Sequence, residues 1–320
     1  MTATDSGGDA AASTPVQTTG TGAVGRAAPT PVQVRLGYGA VMAGMLMFSL
    51  GPVLAAEAEL QGLAVAFWRA WIACAFFGLV AATKGALGWQ AMRLSAFPGI
   101  CFGLSIGLFF EAAQRTSVAN TALIAVLIPV PMLIAARFVF SEPVGLPDAG
   151  WLAIALGGAA FMILVADNGG TSDPFGDFLA VLSTFAGAAY FVLGRRARQK
   201  VDTVPFMVGM MFWGGVVLTP LTFAAGQDLI TTDGTEWLRM IAIGLIPGMG
   251  HLFINYSHAS VPLVIMGLAQ LLIPVGATFM AWLFLDQDIT VAQLVGICIV
   301  LAALAVHTVY RSRLPTPAPG

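Results

Sequence analysis

Apolar residues gather in ten stretches of about twenty, each closed by a short polar turn. A helix needs about that length to cross roughly 30 Å of hydrocarbon. The pattern predicts spans at 36–56, 61–82, 95–114, 117–138, 148–166, 177–196, 203–225, 237–257, 261–284 and 289–310. The chain therefore reads as an all-α, multi-pass membrane protein.

Composition removes the main rival. Hydrophobic residues make up 58% of the chain and charged ones 9%, against about 25% charged in soluble domains, so a sizeable water-exposed domain cannot be covered. Residues 1–34, rich in Ala, Thr, Gly and Pro, lack an apolar signal core and read as a disordered tail; 311–320 form a short second tail. Cys74, Cys101 and Cys298 all fall in spans, without a CxxC pair or a histidine at metal-ligand spacing, so they read as core residues and no metal is expected.

Charge placement sets the expected orientation. An even number of spans puts both termini on one side. If that side is the cytoplasm, Arg26, Arg35, Lys84, Arg93, Arg137, Arg195, Arg196, Arg198, Lys200, Arg311 and Arg313 fall inside. Only Arg115 and Arg239 fall outside, where Glu57, Glu59, Asp167, Asp173, Asp177, Asp228, Asp233, Glu236, Asp286 and Asp288 collect. Both termini are thus expected in the cytoplasm.

The turn-rich connection Asp167-Asn-Gly-Gly-Thr-Ser-Asp-Pro divides the spans five and five, giving expected units 35–166 and 176–310. Ser117-Val118 followed by Leu127-Ile-Pro129-Val recurs as Ser260-Val261 followed by Leu272-Ile-Pro274-Val. Because five is odd, the second copy crosses in the opposite sense, an arrangement that gives transporters two related states.

These residues resemble the EamA-type repeat of the drug/metabolite transporter superfamily. The resemblance rests on Phe67-Trp68-Arg69 in the second span and on a mid-span proline followed by an apolar run to an acid, here Pro129 through Glu142. In the second half Pro274 begins the corresponding run, which reaches Gln287 between Asp286 and Asp288. The resemblance covers residues 36–310 and implies a ten-helix transporter of small organic metabolites, commonly an exporter.

Ionisable groups inside hydrocarbon are costly, which singles out Arg69, Glu111 and His251. Arg69 and Glu111 lie on consecutive antiparallel spans in the outer half. They are expected to meet, either as a packing ion pair or along the substrate path, with Glu111 the candidate for proton coupling. His251, Asn255 and Tyr256 fall in the inner half of the eighth span and Asn120 in the outer half of the fourth. That division suggests two polar gates around an apolar centre containing Gln270. The prolines Pro129, Pro131, Pro247 and Pro274 mark expected mid-span breaks, which are tolerated where backbone is buried in protein or faces a wet cavity. Phe109, Phe110, Tyr190, Phe212 and Trp213 suit an amphipathic substrate or simply pack. Gly99, Gly103 and Gly107 give the third span a smooth face for close helix packing.

The expected activity is secondary active export of a small polar or amphipathic metabolite, such as an amino acid, by alternating access in a plasma membrane. The partners are the lipid bilayer, a small-molecule substrate and protons; no cofactor and no nucleic acid is expected, and the chain acts as a monomer or homodimer. A glycine-lysine nucleotide loop is missing. An antiporter of phosphate-bearing compounds or nucleotide sugars would need several cavity cations, where only Arg69 is available. An integral-membrane enzyme would need an aspartate-rich diphosphate site or a His beside an acid; neither appears, and no Asp or Glu lies near His251 or His258 in sequence. Gly103-Leu-Ser105-Ile-Gly107 matches a hydrolase nucleophile elbow in letters only, since the elbow requires a strand-to-helix turn.

Overall fold

The computed structural model describes residues 29–56, 58–84, 88–166 and 173–312. Arg26, Glu57, Asp167, Arg313, the 167–172 connection, the tail before residue 29 and the tail after residue 312 lie outside the described residues. Thirteen helices follow one another: α1 (Pro31–Ala56), α2 (Gly62–Thr83), α3 (Trp89–Leu94), α4 (Ala96–Arg115), α5 (Val118–Ala125), α6 (Pro129–Val139), α7 (Leu146–Ala166), α8 (Pro174–Arg198), α9 (Thr203–Ala224), α10 (Gly234–Ser257), α11 (Leu263–Ala269), α12 (Leu272–Phe284) and α13 (Val291–Ser312). No strand occurs among the described residues. Taking α5 with α6 and α11 with α12, ten segments among the described residues are long and apolar enough to cross a membrane. Pro31 and Ser312 therefore lie on the same face, called here the terminal face; the opposite one is the far face.

Capping explains where helices start. Gln33 N–H donates to Thr30 Oγ1 (3.3 Å) while Thr30 N–H donates to Gln33 Oε1 (2.8 Å), a reciprocal box that begins α1 at Pro31. Residues 31–34, expected in the tail, are helical for that reason. Asp173 accepts from Phe175 and Gly176 N–H, and Pro174 occupies the first helical position, so α8 begins three residues before the expected 177.

The fourth and ninth spans are broken as expected, by the same device. Pro129 has no N–H for the Ala125 carbonyl, and Ile128 N–H takes that carbonyl instead at 3.1 Å. In the second half Pro274 leaves the Gln270 carbonyl, which Ile273 N–H takes at 3.0 Å. Each span tightens into i to i+3 bonds and resumes as a second helix. Hydroxyls from the opposite half back the breaks: Thr184 Oγ1 of α8 donates to Ile124 O (3.1 Å), and Ser49 Oγ of α1 to Ile273 O (3.2 Å). The repeats also end alike. Ser141 (φ 52°) and Asp286 (φ 53°) are both left-handed residues just past a helix, and the next N–H reaches back six residues, Glu142 to Ala136 O and Gln287 to Ala281 O.

The expected break at Pro247 does not occur. α10 runs unbroken from Gly234 to Ser257 with Pro247 inside it. Its glycines seat neighbours along its length, Gly244 against Ile72 and Gly250 against Phe48, and this flanking packing holds the helix in line despite the missing bond. The glycine face of α4 packs on α9: a Cβ at Gly99, Gly103 or Gly107 would lie 2.7 Å from Met210 O, 2.7 Å from Gly214 O or 3.0 Å from Leu218. Ser105 and Ser183 join α4 to α8 by exchanging hydroxyl-to-carbonyl bonds of 2.9 and 2.7 Å.

Candidate functional site

The two broken spans frame a cavity of about 530 Å³. It runs from Gln270 and Leu271 at the break of the ninth span to Pro52, Ala122 and Ala166 near the far-face ends of α1, α5 and α7. Val126 and Ile128 line it from the other break, and Phe109 and Pro274 from its sides. Gln270 is buried, and its Nε2 finds no hydrogen-bond partner.

Toward the terminal face a clamp crosses the bundle. The Glu142 carboxylate accepts from the backbone N–H of Leu263 (2.7 Å) and Val264 (3.1 Å), the first turn of α11, and pairs with Arg195 Nη1 of α8 at 2.8 Å. Arg195 also donates to Val261 O (3.3 Å) and lies over the Phe140 ring. A carboxylate at a helix N-terminus meets both free donors and the positive end of the helix dipole, so three spans are tied at one point. The pseudo-equivalent Gln287 is exposed. The far face thus has no matching clamp at that position.

A second polar cluster lies within the bundle. Arg69 Nη2 of α2 is 3.2 Å from His251 Nε2 of α10, and His251 Nδ1 is 3.1 Å from the Tyr190 hydroxyl of α8. Arginine only donates, so Nε2 accepts and the imidazole proton sits on Nδ1, where it donates to Tyr190. Asn255 Nδ2 donates to the same hydroxyl (2.8 Å), while Phe48 and Phe102 meet His251 edge-on at 4.6 and 4.8 Å. No carboxylate pairs with Arg69 among the described residues, and its Nε is buried without a partner.

Glu111 pairs one turn along its own helix with Arg115 (2.7 Å), a pair half open to the surroundings, and Arg69 meets His251 instead. The proposed separation of an outer gate holding Arg69 from an inner one holding His251 and Asn255 also fails. α2 and α10 cross the membrane in the same sense, with Gly244 packed on Ile72 and Gly248 near Ala73, and the long guanidinium arm then spans the remaining axial distance to the imidazole. Asn120 is in a far-face cluster with Thr116 and Asp177, where Thr116 Oγ1 donates to Asp177 Oδ1 at 2.7 Å.

Other candidates scatter. Gln270 and Pro274 line the cavity, whereas Pro129 is buried beside it and Pro247 packs toward Gly51. Trp213 Nε1 donates to Met92 O (2.9 Å) and so fixes α9 to α3. Tyr256 is exposed in a terminal-face groove with Lys84 and Asp202. Ser105 bonds Ser183 rather than a histidine.

Sequence reasoning missed the clamp and a buried triad in which Asp148 Oδ1 accepts from His307 Nε2 (2.8 Å) and Arg311 Nε (2.7 Å). Within Arg195, Arg196 and Arg198 the signal was ambiguous: Arg196 is exposed while Arg198, donating to Asn255 O at 2.8 Å, is buried. Outside the span segments, His258 at the end of α10 is buried with both ring nitrogens unpartnered. Burial, followed by the charges of Arg195 and Arg198, holds its pKa well below the ordinary histidine value.

The EamA-like transporter family matches this chain twice, over residues 35–164 and 174–309. Protein PecM of Dickeya dadantii is 28% identical over 229 residues, covering 69% of this chain and 74% of PecM. A WAT1-related chloroplastic protein of Arabidopsis thaliana is 26% identical over 251 residues, 74% of this chain and 54% of that protein. An uncharacterized transporter of Archaeoglobus fulgidus is 23% identical over 204 residues, 63% of this chain and 72% of its own. A solved crystal structure shares the fold with a TM-score of 0.76 at 17% identity, covering 90% of this chain and all of that one.

Proposed function

Because the chain belongs to the EamA-like transporter family, we propose that it exports a small polar or amphipathic metabolite by alternating access, with both termini cytoplasmic in a plasma membrane. One observation carries the mechanism. The cavity between the broken spans reaches toward the far face, while Glu142, Arg195 and the start of α11 tie the spans together toward the terminal face. Related breaks in opposite senses supply the second state: exchanging the conformations of the two halves would open the terminal face and close the far one. The geometry then corresponds to a far-side-open state, and release of the clamp admits substrate from the terminal face.

The orientation reading is supported by the basic residues near the terminal face, including Lys84, Arg93 and Arg137, and the acidic ones near the far face, including Asp233 and Glu236. A phosphate-bearing substrate finds no support, because no Lys or Arg lines the cavity among the described residues. Substrate movement is driven by an ion gradient or by exchange, and protons are the first ion to test.

Uptake of radiolabelled metabolites into inverted vesicles tests the reading. Concentrative uptake that depends on the protein, and that collapses when the proton gradient is dissipated, is the expected result. Absence of uptake and of exchange across a broad metabolite panel in folded, reconstituted protein would refute it.

A further inference from the structure

We propose that the cavity selects an uncharged amphipathic solute, an apolar body carrying one hydrogen-bonding group such as an amide, with that group seated on Gln270. The inference rests on the transporter reading and narrows its substrate class. Among the described residues no charged side chain lines the cavity. Its walls are hydrocarbon, the Met162 thioether and one phenyl ring; among the described residues the only polar side chain apart from Gln270 is Thr278, whose hydroxyl already donates to Pro274 O at 3.0 Å.

The start of α6 beside the cavity does not replace the missing charge. The first turn of a helix ordinarily offers four free N–H groups to an anion. In α6 Pro129 and Pro131 have none, Val130 N–H is taken by Leu127 O (2.9 Å) and Met132 N–H by Ile128 O (3.4 Å). In α12 Pro274 has none and Ile273 N–H is taken by Gln270 O. The first turn of α6 thus offers an anion no free N–H, and that of α12 offers none at Pro274 or Ile273. A carboxylate or an ammonium here would be buried without a counter-charge, whereas a neutral polar group needs one hydrogen bond.

Gln270 supplies that bond. The residue is 9% exposed and lines the cavity, and its Nε2 is buried without a hydrogen bond, so a rotation of the amide toward the cavity brings that donor to a ligand. An unpaired buried amide is unfavourable, so a ligand that completes it gains specificity for an acceptor or donor at that point. An amide group on the solute presents both.

The test uses full-length protein in nanodiscs, with Cys74, Cys101 and Cys298 replaced by alanine and Ala277→Cys introduced on the cavity wall. Labelling by a small thiol reagent is followed in the presence of 3-phenylpropanamide, 3-phenylpropanoate, phenethylamine or phenylalanine. The amide should slow labelling by about threefold or more at a saturating concentration, and the three charged analogues should not. Gln270→Leu should abolish protection, read as the ratio of labelling rates with and without the amide in that same variant, with Gln270→Met as the substitute should the Leu variant not fold. Equal or stronger protection by a charged analogue, protection by none of the four, or undiminished protection in the Gln270 variant would overturn the proposal. Flux of labelled compounds in proteoliposomes separates the two readings. Phenylalanine flux without amide protection would keep the transporter and reject the uncharged class; amide protection without any flux would reject transport and keep the site.

Discussion

Arg69 and His251 face one another across the two halves of the protein, Nη2 to Nε2 at 3.2 Å, and this contact rather than an ion pair with Glu111 holds the second span to the eighth. A double-mutant cycle with Arg69→Met and His251→Leu should be non-additive, with a coupling of about 0.5–3 kcal/mol in thermal stability. Glu111→Gln should cost less than about 1 kcal/mol, because the partially exposed Glu111–Arg115 pair is weak. It should also leave gradient-driven transport intact; loss of concentrative transport in Glu111→Gln with exchange preserved would restore Glu111 as the coupling residue.

The clamp yields a prediction about states. Glu142→Gln should weaken both the pair with Arg195 and the cap on α11, raising thiol labelling of cysteines placed on the terminal-face side of the ninth span. Removing one partner of a buried pair typically costs about 3–5 kcal/mol. The swap Glu142→Arg with Arg195→Glu should not rescue activity, because the first N–H groups of α11 require an acceptor at residue 142. Full rescue by the swap would show that only the charge pairing matters.

Packing of the third span on the seventh gives a sterically sharp test. A methyl group at Gly103 would sit 2.7 Å from the Gly214 carbonyl oxygen, backbone against backbone, whereas Gly78 has open space around its would-be Cβ. Gly103→Ala should destabilise by about 1–3 kcal/mol, while Gly78→Ala should be neutral or slightly stabilising through helix propensity. Melting temperatures in detergent distinguish the two.

His258 gives a pH signature. Its folded pKa lies well below the ordinary value of 6.5, so the unfolded chain takes up a proton that the folded one refuses. Stability is therefore full above about pH 6.5 and falls as the pH drops below it, by about 1 kcal/mol between pH 6.5 and 5.5. His258→Asn should flatten that slope relative to the parent. An unchanged slope would mean that protonation of this residue does not govern the acid response.

The hydrophobic pattern alone determined the ten crossings, because the bilayer demands an apolar length for every crossing and leaves little freedom in how it is met, and recurring motifs around Pro129 and Pro274 marked the two copies. Pro129 and Pro274 were legible as breaks for a related reason: a missing N–H acts locally, and its consequence appears within four residues. Pro247, the same residue type, was not legible, because whether a helix yields depends on neighbours such as Ile72 and Phe48 that sequence does not place.

The site belongs almost entirely to tertiary structure. Arg69, His251 and Asn255 stood out by polarity inside apolar spans and Tyr190 as an aromatic, yet their assembly into one cluster depends on which helices cross and at what register. Arg195 looked like one more orienting charge beside Arg196, and only the fold turns it onto Glu142 and leaves Arg196 outside. A membrane span fixes how deep a residue lies along its own helix. Which partner it meets is decided by rotation and tilt about neighbouring helices, quantities set by long-range packing such as Gly99 on Met210 and Gly103 on Gly214.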